Sequence, residues 1–108
     1  KDSTPVYKVV ERMPSFTLGQ AALLQYLDQN IEYPKIAKEN GVQGMVVVQV
    51  IVEIDGSLSN VHVVKGIGAG CDEEAMRVVK LMPKWIPGMQ RGKTVRVQFN
   101  LPIRFKLE

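Results

Sequence analysis

The chain is 108 residues long, 45% hydrophobic and 23% charged, which is an ordinary composition for a globular domain with one core. Its net charge of +3 is spread along the chain with acids between the bases, which argues against a nucleic-acid binder, whose Lys and Arg gather on one face. The single cysteine, Cys71, excludes an internal disulfide and a cysteine-rich metal site, and no apolar run approaches the ~20 residues that cross a bilayer.

The first residues have the composition of a tail or linker. Lys1–Pro5 is polar and ends in proline, and the weak alternation of Val6–Val10 predicts an edge strand or an extended arm. The chain opens without Met and without the apolar region of a signal peptide, so we expect a processed or excised piece whose anchor lies upstream. We therefore divide the chain into a linker end or extended arm, 1–13, and a domain, 14–108, whose first part, 14–32, is a helical extension.

Two helices are predicted next. Apolar residues recur at helical spacing within and just after Leu18–Asn30, and Thr17 is positioned to cap this helix. The recurring residues are Leu23, Leu24, Leu27 and Ile31. Pro34 suits the first position of a second, short helix over Lys35–Asn40, and Gly41 suits its end, where a left-handed conformation is common.

The strongest secondary-structure signal lies in Met45–Ile54. Its valines and isoleucines suit a pleated surface, and apolar residues on both faces at its start predict a central strand. Asp55 and Gly56 follow directly and have the composition of a tight hairpin turn. Leu58–Val64 is then predicted to be the returning strand of an antiparallel hairpin.

A glycine-rich connection leads into the third predicted helix. Gly66–Gly70 is expected to be a flexible connector, and the acids of Asp72–Glu74 suit the first turn of a helix, where the helix dipole favours negative charge. The buried stripe of this helix is predicted to be Ala75, Val78, Val79 and Met82. Pro83 is expected to end the helix.

Thr94–Phe105 has the clean alternation of an amphipathic strand. The residues predicted to share its apolar face are Val95, Val97, Phe99, Leu101, Ile103 and Phe105. Pro102 cannot donate to a ladder, so this strand is expected at a sheet edge. Lys84–Gly88 before it is predicted to be irregular, and Gln90–Lys93 a polar turn. Together the elements predict an α+β domain in which helices pack on one face of a small three-stranded antiparallel sheet.

No set of residues has the pattern of an active site. Gly66, Gly68 and Gly70 follow a strand, but the dinucleotide fingerprint needs its third glycine one residue later. His62 is the single histidine and has no partner at ligand spacing, while Cys71 is expected to be a small buried hydrophobe. We therefore predict a non-enzymatic protein without a metal or cofactor.

Several short motifs between Tyr33 and Leu107 resemble, by their order and spacing, the TonB C-terminal domain family. The motifs are Tyr33-Pro34 followed by Ala37, Gly41 and Gly44 before the valine strand, Asp55-Gly56 in the hairpin, Val61 and Val63 on the return strand, Asp72 and Ala75 at the helix start, Trp85 with Pro87-Gly88, and Pro102-Ile103 with Phe105 in the final strand. The upstream segment 14–30 resembles an extension found in one branch of that family. Cys71 departs from the family pattern, in which a large aliphatic residue is more usual.

The resemblance implies a periplasmic domain that an upstream segment tethers to the inner membrane, where proton-driven motor proteins act on it. Its partner would be the TonB box, a short peptide of outer-membrane transporters. The implied fold is two helices on a three-stranded antiparallel sheet, and the box peptide would pair with the edge formed by the last strand. Such a domain would transmit force for nutrient uptake.

An exposed strand edge offers unpaired N–H and C=O groups to an incoming strand, which supports the same docking mode on physical grounds. We expect the partner to bind along the last strand over Thr94–Asn100, with Tyr33 and Pro34 flanking it. The predicted binding residues are Tyr33, Pro34, Thr94, Val95, Arg96, Val97, Gln98, Phe99, Asn100 and Arg104. Arg96, Gln98 and Arg104 are expected to face outward and to select partners by charge and hydrogen bonding.

Three other interpretations stay open at the level of the sequence. The chain would suit a TonB-like binding or sensory domain of a membrane-bound regulatory peptidase, which upstream sequence would distinguish from a transducer. A cell-wall-binding module would use Trp85, Tyr26 or Tyr33 as exposed stacking platforms, so burial of Trp85 would count against it. A bare edge also favours a homodimer formed by strand pairing.

Overall fold

Five strands and three helices follow one another in residues 4–107, the part of the chain that the computed structural model describes. In chain order they are β1 (Val6–Tyr7), α1 (Gln20–Asn30), α2 (Lys35–Glu39), β2 (Gly44–Val52), β3 (Leu58–Lys65), α3 (Cys71–Lys80), β4 (Gly88–Gln90) and β5 (Lys93–Phe105). The start of the predicted tail, 1–3, and the last residue of the predicted domain 14–108 lie outside the described residues. None of the helices in the described part has both the length and the apolar character needed to cross a membrane.

The three long strands form the antiparallel sheet that the sequence predicts, with β2 in the centre between β5 and β3. The predicted number of strands was wrong, because two short strands join this sheet. β1 pairs with β5 in parallel, and β4 pairs with the start of β5 in antiparallel orientation. β1 lies within Val6–Val10, where the sequence predicts an edge strand or an extended arm, whereas β4 was not predicted because a strand of three residues is too short to show a period-2 pattern.

The core lies on one face of the sheet, where the helices pack. Alternate residues of β2 and β5 point into it, as the alternation in the sequence predicts. Its buried residues include Leu23 and Leu27 of α1, Ala37 of α2, Val46, Val48, Val50 and Val52 of β2, Cys71, Ala75, Val78 and Val79 of α3, and Leu101, Ile103 and Phe105 of β5. The opposite face of the sheet is polar along β5, where the Gln49 amide donates to the Asn100 side-chain oxygen at 3.0 Å.

Helix α1 begins two residues later than predicted and is not capped by Thr17. Leu18 and Gly19 both have positive φ angles, 72° and 93°, so the backbone turns sharply before the helix starts. The Thr17 hydroxyl instead donates to the Lys84 carbonyl at 2.7 Å, which ties the start of α1 to the segment before β4.

Two acidic side chains fix the connections on either side of β3. The Asp55 carboxylate accepts hydrogen bonds from the N–H and the hydroxyl of Ser57, at 2.9 and 2.7 Å, in the predicted hairpin turn. The Asp72 carboxylate accepts the N–H groups of Ile67 and Gly68 at 2.9 and 3.1 Å. The glycine-rich connector is therefore held by the first turn of α3.

Candidate partner-binding edge

Strand β5 is paired along one side by β2 and is partly unpaired along the other. Its register with β2 runs without interruption from Val97, opposite Val52, to Phe105, opposite Gly44. On the far side, β1 pairs only with Arg96 and Val97. No strand within residues 4–107 pairs with the far side beyond Val97, and we call the segment Gln98–Phe105 the open edge.

Pro102 indicates which backbone groups of the open edge face outward. Pro102 lies opposite Val47 and has no N–H to donate to β2. In an antiparallel pair the residues alternate between those that hydrogen-bond the partner and those whose backbone groups point away. We therefore expect the residues that alternate with the core-facing ones to direct their backbone groups outward. These outward-facing residues are Gln98, Asn100, Pro102 and Arg104.

The structure shortens the binding edge that the sequence predicts. Arg96 and Val97 are paired with β1 on the far side, so this part of the predicted segment Thr94–Asn100 is occupied within the molecule, and Thr94 and Val95 before it are paired with β4. Gln98, Phe99, Asn100 and Arg104 do lie on the open edge. The sequence did not reveal this division because β1 and β4 were not predicted as partners of β5.

Arg96 was expected to face outward as a selectivity residue, but it is engaged within the molecule. Its guanidinium Nε donates to Glu53 Oε1 at 2.7 Å, and its Nη1 donates to the Thr4 carbonyl at 2.7 Å. The Arg96 side chain is 13% exposed. Arg96 thus joins the end of β2 to the arm that carries β1.

A groove of about 540 Å³, lined by both apolar and charged side chains, lies between the open edge and α1. Its lining residues on α1 and just beyond are Gln20, Leu23, Leu24, Leu27, Asp28 and Ile31. Leu24 is 58% exposed, although its neighbour Leu23 is buried. The signal for this wall is the pair of adjacent leucines, because two neighbouring residues cannot both lie in the centre of one buried helical stripe.

Tyr33 lines the same groove, whereas Pro34 does not. The Tyr33 hydroxyl donates to the Val42 carbonyl, and its ring stands edge-on to Phe105 with centroids 5.7 Å apart. Burial raises the pKa of the Tyr33 phenol above its ordinary value. Pro34 lies instead in a separate shallow depression that Gly70 also lines. Of the two residues predicted to flank the partner, one is therefore beside the open edge.

The opposite margin of the sheet, along β3, pairs with no further strand of residues 4–107 and is irregular. Its register with β2 shifts twice, between Val47 and Val48 and between Gln49 and Ile51. Asn60 of β3 has a φ angle of 50°, which is unusual in a strand. Bulges of this kind twist an edge away from strand addition. The regular margin is the one on β5.

Trp85, one of the aromatic side chains considered as stacking platforms, is not available for glycans. Trp85 is 4% exposed and packs between Phe16 and Phe99, with ring centroids 5.6 Å from each. Tyr26 donates its hydroxyl to the Val78 carbonyl at 2.8 Å. The burial of Trp85 counts against the cell-wall-binding interpretation.

Cys71 and His62, the side chains considered as possible reactive or metal-binding groups, are held by burial and by a backbone contact. Cys71 is fully buried, and burial, with smaller contributions from Asp72 and Glu73, raises the pKa of its thiol, which favours the unreactive thiol form. His62 places its Nδ1 2.9 Å from the Asn60 carbonyl oxygen. Within residues 4–107 no three His, Cys, Asp or Glu side chains are grouped closely enough to hold a metal ion.

Comparisons with known proteins agree on one family. The family described as Gram-negative bacterial TonB protein C-terminal matches residues 29–107. Protein TonB of Vibrio cholerae serotype O1 is 30% identical over 77 residues, which make up 70% of this chain and 31% of that protein, so the chain spans about a third of the relative's length.

Solved structures show the same fold. Two solution structures of Helicobacter pylori TonB-CTD match with TM-scores of 0.61 and 0.58, at 25% and 24% identity. The matches cover 82% and 80% of this chain and 92% and 78% of the other chains. The extent of the family match decides the assignment: this chain belongs to the family of Gram-negative bacterial TonB protein C-terminal domains.

Proposed function

We propose that this chain is the partner-binding domain of a TonB-type energy transducer. The open edge, Gln98–Phe105, would bind the TonB box of outer-membrane transporters by β-strand addition, without any enzymatic step. The observation that supports this proposal most directly is that Gln98–Phe105 pairs regularly with β2 on one side, while no strand in residues 4–107 pairs with its other side.

The open edge offers a limited number of backbone hydrogen bonds. The outward-facing residues carry four carbonyls and three N–H groups, because Pro102 has no N–H. At about 0.5–1.5 kcal/mol net per hydrogen bond, about seven bonds would contribute roughly 4–10 kcal/mol. Association costs on the order of 4–15 kcal/mol. Backbone pairing alone would therefore give weak, reversible binding that tolerates many partner sequences.

A strand added to the open edge would also suit the transmission of force. A pull along the axis of the docked strand loads several hydrogen bonds together, so the clamp would resist force even though its equilibrium affinity is modest. We place the domain in the periplasm, tethered to the inner membrane by an upstream segment on which proton-driven motor proteins act. Family membership and the similarity to Protein TonB of Vibrio cholerae support this placement.

A residue-resolved titration tests the proposal. A synthetic TonB-box peptide is added to the isotope-labelled domain, and backbone amide shifts are followed along β5 and β3. We expect the shifts to concentrate in Gln98–Phe105 and to be small in Leu58–Lys65, where the register is irregular. If the open edge stays silent while another surface responds, the docking site is assigned to the wrong strand.

The same edge would support pairing between two copies of the chain at high concentration. Sedimentation measured over a range of protein concentrations would detect this homodimer. Because peptide and second copy would compete for the open edge, we expect saturating peptide to return the protein to the monomer.

A further inference from the structure

The groove beside the open edge is formed by two parts of the chain with different relationships to the family. The open edge lies inside the family match, which covers residues 29–107. The α1 wall, Gln20–Asn30, lies almost entirely before the start of that match. The helix that closes the groove is therefore a feature of this chain that the family's shared sequence pattern does not account for.

We propose that α1 selects the partner strand by receiving its side chains in this groove. The strand that fits has apolar side chains at alternate positions and an acidic residue close to Arg104 and Lys106. This inference rests on the proposed function, because it concerns the strand that docks on the open edge. Backbone pairing alone would tolerate many partner sequences. The groove would add a requirement for particular side chains.

The shape of the groove requires an extended occupant. One of its walls is the open edge, whose outward N–H and C=O groups are satisfied in a regular way only by another extended backbone. Side chains of a strand docked there alternate between the two faces of the sheet. Every second side chain would point to the core face, on which α1 packs, and would enter the groove.

The surface of the groove defines the chemistry of those side chains. Leu24 is 58% exposed on the α1 wall, and half-buried Phe99 lies on the opposite wall, so apolar side chains between them would cover both. Arg104 and Lys106 line the same groove and make no ion pair within residues 4–107. An acidic side chain at the end of the docked strand would pair with them.

Two synthetic peptides test the apolar requirement. The first alternates Thr and Val over seven residues and carries Glu at both ends, and the second has Thr in place of each Val. Thr and Val have the same shape and similar strand propensity, so the peptides differ mainly in the apolar groups they offer. We expect the Thr/Val peptide to bind the chain at least tenfold more tightly by calorimetry, which corresponds to about 1.4 kcal/mol.

The substitution Leu24→Ser identifies the wall responsible. Because Leu24 is exposed, this variant should fold normally, and we expect it to reduce the preference for the Thr/Val peptide at least threefold. Leu81→Ser is the matched control, since Leu81 is 65% exposed and lies outside the groove. In a double-mutant cycle, coupling between Leu24 and the peptide's Val residues separates direct contact from a general loss of affinity.

The charge requirement is tested with a Thr/Val peptide that carries Lys in place of Glu. We expect it to bind several-fold more weakly, and the difference to shrink in an Arg104→Gln variant. If the Thr/Val and all-Thr peptides shift the β5 amides equally and Leu24→Ser changes neither affinity, the selection by α1 is refuted while the docking edge stands. If no peptide shifts the β5 amides, the proposed function fails, and this inference fails with it.

Discussion

At the scale of single residues, Tyr33 joins the segment after α1 to the start of the sheet. Its hydroxyl donates to the Val42 carbonyl while its ring packs on Phe105. Tyr33→Phe keeps the ring and removes the donor, so we expect the free energy of unfolding to fall by about 1 kcal/mol in urea denaturation. Tyr7→Phe is the control, because the Tyr7 hydroxyl has no hydrogen bond in the described part of the chain. Equal effects of the two substitutions would show that the Val42 contact contributes nothing.

Glu74 connects α3 to the end of α1 and should make the stability of the domain depend on pH. Its carboxylate accepts Arg77 Nε and Nη2 at 2.8 and 2.6 Å and the Glu32 N–H at 2.7 Å, and these bonds, those from Arg77 above all, lower the pKa of Glu74 below its ordinary value of 4.5. A lowered folded-state pKa means that the stabilisation is fully present above the unfolded-state pKa and is lost as the pH falls through the folded-state value.

Glu74→Gln tests this contribution. Because the Glu74 side chain is 12% exposed but Arg77 is 43% exposed, we expect a loss of about 1 kcal/mol at pH 7 and a much smaller difference from the unmodified chain near pH 3. Urea unfolding at a series of pH values measures it. Glu73→Gln removes a neighbouring acid that forms no hydrogen bond or ion pair among residues 4–107. A Glu74→Gln effect independent of pH would contradict the assignment.

At the scale of elements, the outward direction of backbone groups on β5 can be tested with a second proline. Asn100 lies two residues before Pro102 and opposite Gln49, so its N–H should also point away from β2. We expect Asn100→Pro to fold, with a loss of at most about 1 kcal/mol, and to weaken binding of the TonB-box peptide about tenfold by removing one donor and obstructing the edge. Asn100→Ala is the control, because it also removes the Gln49 contact but keeps the N–H.

Failure of Asn100→Pro to fold, with Asn100→Ala unaffected, would mean that this N–H is bonded to β2. The outward-facing set would then be wrong by one residue. Normal folding together with unchanged peptide affinity would instead show that the docked strand does not use this part of the open edge. The two results are separated by urea denaturation and calorimetry on the same pair of variants.

The elements that the sequence predicts well are those whose pattern repeats over many residues. The valines of β2 and the alternation of β5 indicate both strands and their core faces. What the sequence does not reveal depends on tertiary pairing. The bond between Arg96 and Glu53 requires knowing that Val52 lies opposite Val97. Likewise, Leu24 is recognisable as part of a groove wall only once α1 is placed beside the open edge.

At the scale of the whole molecule, the chain before α1 is bonded both to β5 and to the β4–β5 hairpin. β1 pairs with β5, the Glu11 carboxylate accepts the Arg91 N–H at 2.9 Å, and the Arg12 N–H donates to the Met89 carbonyl at 3.1 Å. The predicted arm, 1–13, is thus bonded to the sheet at β1, Glu11 and Arg12. Strand addition by β1 already occurs on the margin of β5 where we propose that the partner docks.

Removal of residues 1–7 should therefore change partner binding. The truncation frees Arg96 and Val97 from β1 and extends the open edge by two residues, so we expect the affinity for the TonB-box peptide to rise about three- to tenfold. The same truncation removes the Arg96–Thr4 bond and the β1 pairing, and the free energy of unfolding should fall by about 1–3 kcal/mol.

Calorimetry and urea denaturation on the truncated chain measure both effects, and Val9→Ser is the control because Val9 is 82% exposed and lies in the arm outside β1. Tighter binding by a less stable chain would be the signature of an arm that competes with the partner, since a purely structural arm would lower stability without raising affinity. Unchanged or weaker binding after truncation would show that the docked strand ends before Val97, and the arm would then be a fixed part of the sheet.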